Sequence, residues 1–587
     1  MPVPSFDELL EEFSFLGDWR DQCQYLIELG EELPDLTPAE KNELNLVRGC
    51  QSRVWFVPEV ESSDAGQLIH IRAKSDAKIV DGLIVVLLSL ADQRSAQEVL
   101  ATDFQGAFTK LGLETQLVPQ RRNGLHAMVR RLQAIAQTAA GVGSKSGSEG
   151  GSEGVNTTDV VARELHPRRE PQPAEAVEPL DADVLRLQFP ALQQRLSDDT
   201  PITFLDSAAS AQKPQVVIDK EREVYEQYYA NAYRGVYRFG ERVSQEIDAS
   251  RRKIQQFIGA EYEEEIAFTG GTTMSLNIIA QGWGGRHLRS GDEIVLSLLE
   301  HHANYVPWQA VAQRTGATIK LFPLTADGYW DLDQLEEAIT SRTRVVSVAA
   351  MTNVFGAIAP LEAIVSRAKE VGAIVVVDAA QSAPHLPTDV VRDHVDFLAF
   401  SGHKLYGPSG VGVLYGRRER LEDMDPLLFG GHMIDQVTEH TFTTAPLPAK
   451  FEAGTLPIAQ AIALGAAVDW IEEVGIARIH AHELRLRDYA SRQLAEIPGI
   501  VLHGPSDHKG AIFSFTMEAA SAQDIATMLD LRGVFVRHGH HCTMPLHHWL
   551  DVPATVRASF SPTNSLDDVD TLCEALLFAR KTLKLDP

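Results

Sequence analysis

At "VVVDAAQS" an apolar run ends in Asp378 and Gln381, and at "FLAFSGHKLYGPSG" a second run ends in Ser401, His403 and Lys404. A third, in "EIAFTGGTTMSLN", gives way to a Gly-Gly turn and then Thr272-Thr273. Backbone N–H groups, hydroxyls and a helix dipole at such a turn can hold an anion. A glycine turn followed by a threonine is equally ordinary helix punctuation. A carboxylate, a lysine and an anion cradle at strand ends suit pyridoxal phosphate. That cofactor needs a phosphate site, an acid that keeps its ring nitrogen protonated and a lysine for the Schiff base.

"VRHGHHCTMPLHHWL" sets Cys542 among five histidines and Arg537 within fifteen residues. A thiol among cationic side chains is the setting of a nucleophilic cysteine. Zinc is the competing reading, since Cys and His are its usual ligands. Adjacent His540-His541-Cys542 lack the spaced pairs of a structural zinc motif and no second cysteine lies close, so no metal is assigned. Cys50, in "NLVRGCQSRVW", lies where the chain turns, not inside an apolar run as a packed cysteine would. Cys23 and Cys573 fall on apolar helical faces and read as core thiols.

These residues need elements to position them. After about residue 185 short β-branched runs ("EEIAFTG", "DEIVLSL", "TRVVSVAAM", "AIVVVDAAQS", "VDFLAFSG", "GVGVLYG") alternate with helical patterns. That alternation predicts an α/β fold with a parallel-rich sheet covered on both faces, whose ligands bind beyond the carboxyl ends of the strands. Residues 1–138 read as a small α+β domain, with two strand-like runs, "SRVWFVPEV" and "QLIHIRAK", between helical stretches. Residues 139–184, rich in Gly, Ser, Glu and Pro, read as a flexible linker with a reach of roughly 35 Å. Residues 185–587 form the second block: a large domain over about 200–470, and a small one from about 470–587 together with the segment before 200.

The chain carries a net charge of -28, with 44% hydrophobic and 23% charged residues. This balance excludes a nucleic-acid surface, which needs clustered Lys and Arg. No apolar run approaches the length of a membrane span. The opening "MPVPSFDELLEEF" is unlike a secretory or transit signal. With four cysteines in 587 residues, no disulfide framework is expected and a cytoplasmic location is.

The motifs "FLDSAASAQKP", "GGTTMSLN", "EHHANYVPWQ", "VDAAQS", "FSGHKLYGPSGVGVLY", "KFEAGT" and "RHGHHCTMPL" run in order through residues 185–587. Over that span the chain resembles fold-type I pyridoxal-phosphate enzymes, and closely the SUF-type (group II) cysteine desulfurases. The resemblance implies conversion of L-cysteine to L-alanine, with sulfur left as a persulfide on Cys542. It implies Lys404 as the cofactor lysine and acid/base, Asp378 at the ring nitrogen and Gln381 at the ring oxygen. His301 would stack on the ring, with Asn353 beside it. Thr273, Ser401 and His403 would bind the phosphate, with Thr455 contributed by the partner of a homodimer. Arg557 would clamp the substrate carboxylate, with Arg537 nearby. Met274 and Tyr233 depart from the family's commoner Glu and His.

Residues 5–137 resemble the SufE-like sulfur acceptors through "YLIELGEELP", "VRGCQSRVW", "SDAKIVDGL" and "RRNGLHAMVR". That match implies Cys50 as the acceptor thiol, with Arg121 near it, and delivery onward to iron–sulfur cluster scaffold proteins. Two other readings stay open on sequence alone. One is a selenocysteine lyase or another β-elimination on the same scaffold; the other is a catalytically silent scaffold with a metal-binding His/Cys loop.

Overall fold

The computed structural model describes residues 4–16, 19–47, 52–63, 66–113, 119–139, 178–197, 199–233, 235 and 237–585. The expected linker falls mostly outside them, as do Cys50 and Arg234, the neighbour of Tyr233; the side chain of Arg121 is likewise outside them. The chain divides into two units. One contains residues 1–154 with 517–531 and 578–587, the other 155–516 with 532–577.

In the first unit, helices α1 (Phe6–Phe15) and α2 (Trp19–Glu31) precede the strands β1 (Val54–Ser63) and β2 (Gly66–Ser75). Helix α3 (Lys78–Ala91) and the short strand β3 (Arg94–Ser95) follow. Helices α4 (Ala96–Ala101), α5 (Phe104–Lys110) and α6 (Pro119–Ala139) complete the order. Ser5 starts α1 through a capping box: its Oγ accepts the Glu8 N–H at 3.3 Å and the Glu8 carboxylate accepts the Ser5 N–H at 2.8 Å. β1 and β2 form an antiparallel hairpin from Val54↔Ser75 to Ser63↔Gly66, with β3 pairing on β2. Almost every residue of α3 is buried, which fits its nearly unbroken apolar sequence. Cys23 is fully buried, the packed thiol its helical spacing predicts.

A division of the chain at the linker would leave residues 517–531 and 578–587 in the second block, whereas here they group with the first unit. The contacts give a physical reason. Ala77, at the N-cap of α3, has no side chain able to accept a hydrogen bond. The Asp524 carboxylate does so instead, taking the Lys78 N–H at 2.8 Å and the Ile79 N–H at 3.3 Å. Lys78 Nζ donates to the Leu583 carbonyl at 2.7 Å, and Lys584 pairs with Glu31 at 2.8 Å.

The second unit is built on a seven-stranded sheet. Its strands are β4 (Ile266–Thr269), β5 (Glu293–Ser297), β6 (Thr318–Phe322), β7 (Thr343–Ala349), β8 (Ile374–Asp378), β9 (Phe397–Ser401) and β10 (Gly412–Gly416), in the order β4-β10-β9-β8-β7-β5-β6. β10 runs antiparallel to both its neighbours and the other pairs are parallel. Strands β4, β5, β8, β9 and β10 are buried at every residue, as apolar strands covered on both faces must be. Helices α7 (Arg238–Phe257), α8 (Thr272–Ile278), α9 (Ile458–Val474) and α10 (Ile476–Ala495) belong to the same unit. So does a four-stranded sheet of β11 (Ile500–His503), β12 (Ile512–Met517), β13 (Arg537–Gly539) and β14 (Thr555–Ser559), in the order β11-β12-β14-β13. This is the α/β fold with a parallel-rich sheet that the sequence pattern predicts. No helix among the described residues is long and apolar enough to cross a membrane.

A buried ion pair ties α7 to the segment before α9. Arg251 reaches the Glu452 carboxylate with both terminal nitrogens, at 2.8 and 3.1 Å, and Glu452 also accepts the Phe268 N–H at 2.7 Å. Removing one partner leaves the other charge enclosed and unpaired. Glu452→Ala is therefore expected to destabilise this unit by about 3–5 kcal/mol, read as a lowered thermal unfolding midpoint.

Candidate active site

The carboxyl ends of β8 and β9 lie side by side, in the parallel register Ala399↔Asp378. Asp378 and Ser401 close those strands, and His403 and Lys404 follow in the next turn. The Gly270-Gly271 turn after β4 faces them across β10. Gly271 has φ 133°, and a Cβ on Gly412 would lie 2.4 Å from the Gly271 Cα, so glycine is required where these backbones meet. The Thr272 N–H and hydroxyl bond Ser401 Oγ at 2.9 and 2.7 Å, which fixes the start of α8 over the end of β9.

A cavity of about 290 Å³ opens beyond these strand ends. Thr273, His301, Asn353, Asp378, Gln381, Ser401, His403, Lys404, Arg537, Cys542 and Arg557 all line it, so residues up to 284 positions apart in the chain share one space. Burial pulls the Lys404 ammonium down to about 8, helped by Arg557 and opposed by Asp378. A fraction of this amine is thus neutral near physiological pH, the form that attacks a carbonyl. Burial also pushes the Asp378 carboxyl up, against the Ala380 N–H (2.9 Å) and Lys404, which favour its charge. Gln381 Nε2 donates to the Ala208 carbonyl at 2.7 Å. Burial, then Lys404, holds His301 down at about 3, so its ring is neutral. Its Nδ1 accepts the Ala303 N–H at 3.0 Å, which leaves the proton on Nε2. The amine, buried acid, hydroxyl-lined glycine turn and flat neutral ring fit pyridoxal phosphate.

Cys542 is exposed at the mouth on a strained backbone, with φ 49° at His541 and 56° at Cys542. Three bonds hold that conformation. The His302 N–H donates to the Cys542 carbonyl at 2.8 Å, Asn353 Nδ2 to the His541 carbonyl at 2.6 Å, and the Met544 N–H to His302 Nε2 at 3.0 Å. His541 and His547 use ring nitrogens on Thr543 and Thr555, at 3.0 to 3.2 Å.

Burial keeps both imidazoles neutral, with His547 at about 4 and His541 well below its ordinary value. An unfolded histidine binds a proton near pH 6.5 that these folded ones refuse. Their contribution to stability is therefore complete above 6.5 and is lost as pH falls toward 4, by about 1.4 kcal/mol per pH unit for each ring. Thermal unfolding followed from pH 7 to pH 5 should show the midpoint falling, and His547→Asn should flatten the slope.

Thr455 is not in this lining; it borders a second cavity of about 180 Å³ with Tyr233 and His432. Tyr233 stacks on His432 with ring centroids 5.3 Å apart and donates its hydroxyl to Asp248 at 2.9 Å. Met274 packs against the apolar core.

Sequence reasoning missed two carboxyls. Asp206, in "FLDSAAS", accepts Arg537 Nε at 3.1 Å and Nη2 at 2.9 Å, and Arg557 Nη2 at 3.3 Å. Arg557, pulled down to about 10 by burial, also donates to the Asn353 carbonyl at 2.9 Å. The signal for Asp206 was available: an acid directly after a short apolar run, Phe204-Leu205, as Asp378 follows the run 374–377. Glu300, the residue before His301, is fully enclosed. Its Oε2 accepts Asn304 Nδ2 at 2.7 Å and the Ala349 N–H at 2.9 Å, and burial pushes its carboxyl well up.

Comparison with known proteins gives two family matches, aminotransferase class-V over residues 203–572 and the Fe-S metabolism associated domain over residues 7–136. A probable cysteine desulfurase of Streptomyces coelicolor is 44% identical over 407 residues, 68% of this chain and 97% of that protein. One of Halalkalibacterium halodurans is 44% identical over 397 residues, again 68% of this chain and 97% of that protein. Among solved structures, the cysteine desulfurase CsdA of Escherichia coli is 39% identical, with a TM-score of 0.64 over 70% of this chain and all of its own. The C-DES variant with glycine covalently linked to its pyridoxal-phosphate cofactor, 24% identical, shares the fold with a TM-score of 0.59.

Proposed function

Because this chain belongs to the aminotransferase class-V family, with a Fe-S metabolism associated domain ahead of that match, we propose that it moves sulfur from L-cysteine to Cys542 and then to Cys50. The enzyme is a pyridoxal-phosphate-dependent cysteine desulfurase. The observation that carries the residue roles is the convergence of Lys404, Asp378, Arg557 and Cys542 on a single cavity.

When bound, pyridoxal phosphate supplies an electron sink for charge that develops at the substrate α-carbon. Asp378 would keep the ring nitrogen protonated, Gln381 would bond the ring oxygen, and His301 would cover the ring with Asn353 beside it. Thr273, Ser401 and His403 would hold the phosphate, joined by Thr455 from a second copy of the chain. Arg557 takes the substrate carboxylate, and Arg537 stands at the mouth. Lys404 Nζ, neutral in part near pH 7, removes the α-proton. Cys542 Sγ then attacks the substrate sulfur. An S–S bond forms, the C–S bond breaks with its electron pair left on carbon, and protonation of that carbon, together with return of the α-proton from Lys404, gives alanine.

The persulfide on Cys542 passes its outer sulfur to the Cys50 thiolate, which regenerates the Cys542 thiol. A tether with the length and composition of residues 139–184 supplies an effective concentration on the order of millimolar for this step. Cys50 in turn feeds iron–sulfur cluster scaffold proteins, a destination supported by the description of the amino-terminal family. A homodimer is supported by the exposed Tyr225, Tyr229, Tyr237 and Phe239, and by the place of Thr455 in a cavity other than the one Lys404 lines. Sedimentation of the full chain at micromolar concentration should return a species of twice the chain mass.

The relay is tested with Cys50→Ser. Alanine formation in the presence of a strong reductant should match the parent chain, while labelled sulfur on peptides of residues 1–138 should vanish. Unchanged labelling of those peptides would overturn the relay.

A further inference from the structure

Outside the cavity lining, a buried histidine and a buried glutamate make a pair that the reaction does not use. His385 follows Gln381 by four residues, in the turn that leaves β8. The Ala383 N–H bonds the Ala379 carbonyl at 2.9 Å, and the His385 and Leu386 N–H groups bond the Ser382 carbonyl at 2.9 and 2.8 Å. His385 Nδ1 lies 2.8 and 2.9 Å from the two carboxylate oxygens of Glu483, on α10. His385 is 6% exposed and Glu483 3%, and neither borders the cavity.

The carboxyl also acts on the lysine turn. Tyr406, two residues after Lys404, adopts φ 57° and is enclosed, its hydroxyl without a hydrogen-bond partner among the described residues. The Glu483 charge, after burial, is what pushes that phenol up. The hydrogen bond from His385 to Glu483 ties the turn that carries Gln381 to α10. An enclosed hydrogen-bonded pair of this kind gives little net stability over apolar packing of the same volume, so a positional role accounts for it better.

We propose that His385 and Glu483 are positioning residues, a tie that holds the turn after β8 so that Asp378 and Gln381 meet the cofactor ring at a fixed depth. The proposal rests on the cofactor roles of Asp378 and Gln381 given above. The pair touches neither cofactor nor substrate; it acts by restricting how far the turn can move.

The test uses the full chain carrying His385→Ala, His385→Asn or Glu483→Gln. Three quantities are read: the affinity for pyridoxal phosphate, the visible absorption maximum of the loaded protein, and amide hydrogen exchange of residues 378–386 without cofactor. His385→Ala should weaken cofactor binding about tenfold, shift the absorption maximum and speed exchange in 378–386 at least about tenfold, with β7 and β9 unchanged. His385→Asn places a donor where Nδ1 lies and should recover most of the affinity and the parent absorption. Should His385→Ala fail to fold, Glu483→Gln, which keeps shape and removes charge, is expected to shift the same readouts in the same direction. Faster exchange with parent-like affinity and absorption would make the pair merely structural and overturn the proposal, as would unchanged exchange. Asp378→Asn separates the two layers. If Asp378→Asn moves the absorption and His385→Ala does not, the pair falls alone; if Asp378→Asn leaves it unmoved, the cofactor assignment falls and takes this proposal with it.

Discussion

Lys404→Ala is expected to lower alanine formation from L-cysteine by at least about 10³-fold, within the range that a positioned acid–base group contributes. Among the described residues Lys404 is the only lysine in the cavity lining, and burial has already brought its amine to about 8. The nearby Lys213 donates to the His403 carbonyl at 3.0 Å and is not in that lining, so it offers no replacement. Alanine release measured under saturating cofactor checks the result. The loaded variant should also lack the absorption of a lysine-linked cofactor, which separates lost chemistry from lost binding. Turnover within tenfold of the parent would remove Lys404 from its role.

Cys542→Ser is expected to abolish sulfur on the protein and to reduce alanine formation by at least about 10²-fold, with cofactor absorption unchanged. A hydroxyl is a poor acceptor for sulfur, and among the described residues no other cysteine borders the cavity. Cys23 is buried in α2, and burial pushes the Cys573 thiol up to about 11. Mass spectrometry of tryptic peptides after brief exposure to L-cysteine checks this. The parent chain should gain one sulfur on the Cys542 peptide before any other, and Cys542→Ser should gain none there or on residues 1–138. A labelled amino-terminal block in Cys542→Ser would break the order of the relay.

These two effects are large because, among the described residues, each is the sole member of its chemical type in the lining. The His385–Glu483 pair and the Arg251–Glu452 pair act at one remove, through positions and stability, so their effects are graded.

Much of this was legible along the chain. The apolar runs at 374–377 and 397–400 marked buried strands, because a strand covered on both faces admits almost no polar side chain. Asp378 stood out because a charged residue directly after such a run must lie at the strand's end, and Lys404 because it falls in the turn just beyond the next one. The histidine-rich loop marked Cys542 by composition alone.

Tertiary structure decided what meets what. Asp206 joins Arg537 and Arg557 across separations of 331 and 351 residues, and no local pattern encodes such a pairing. The antiparallel entry of β10 between β4 and β9, and the grouping of residues 517–531 with the amino-terminal unit, were likewise set by packing. Thr455 was assigned to the phosphate by motif, yet within one chain it borders a different cavity. Periodicity reports which face of an element is buried, because burial follows the local 2.0 and 3.6 residue repeats. Which elements then share that burial depends on shape and charge between segments distant in sequence, and only the folded chain brings those together.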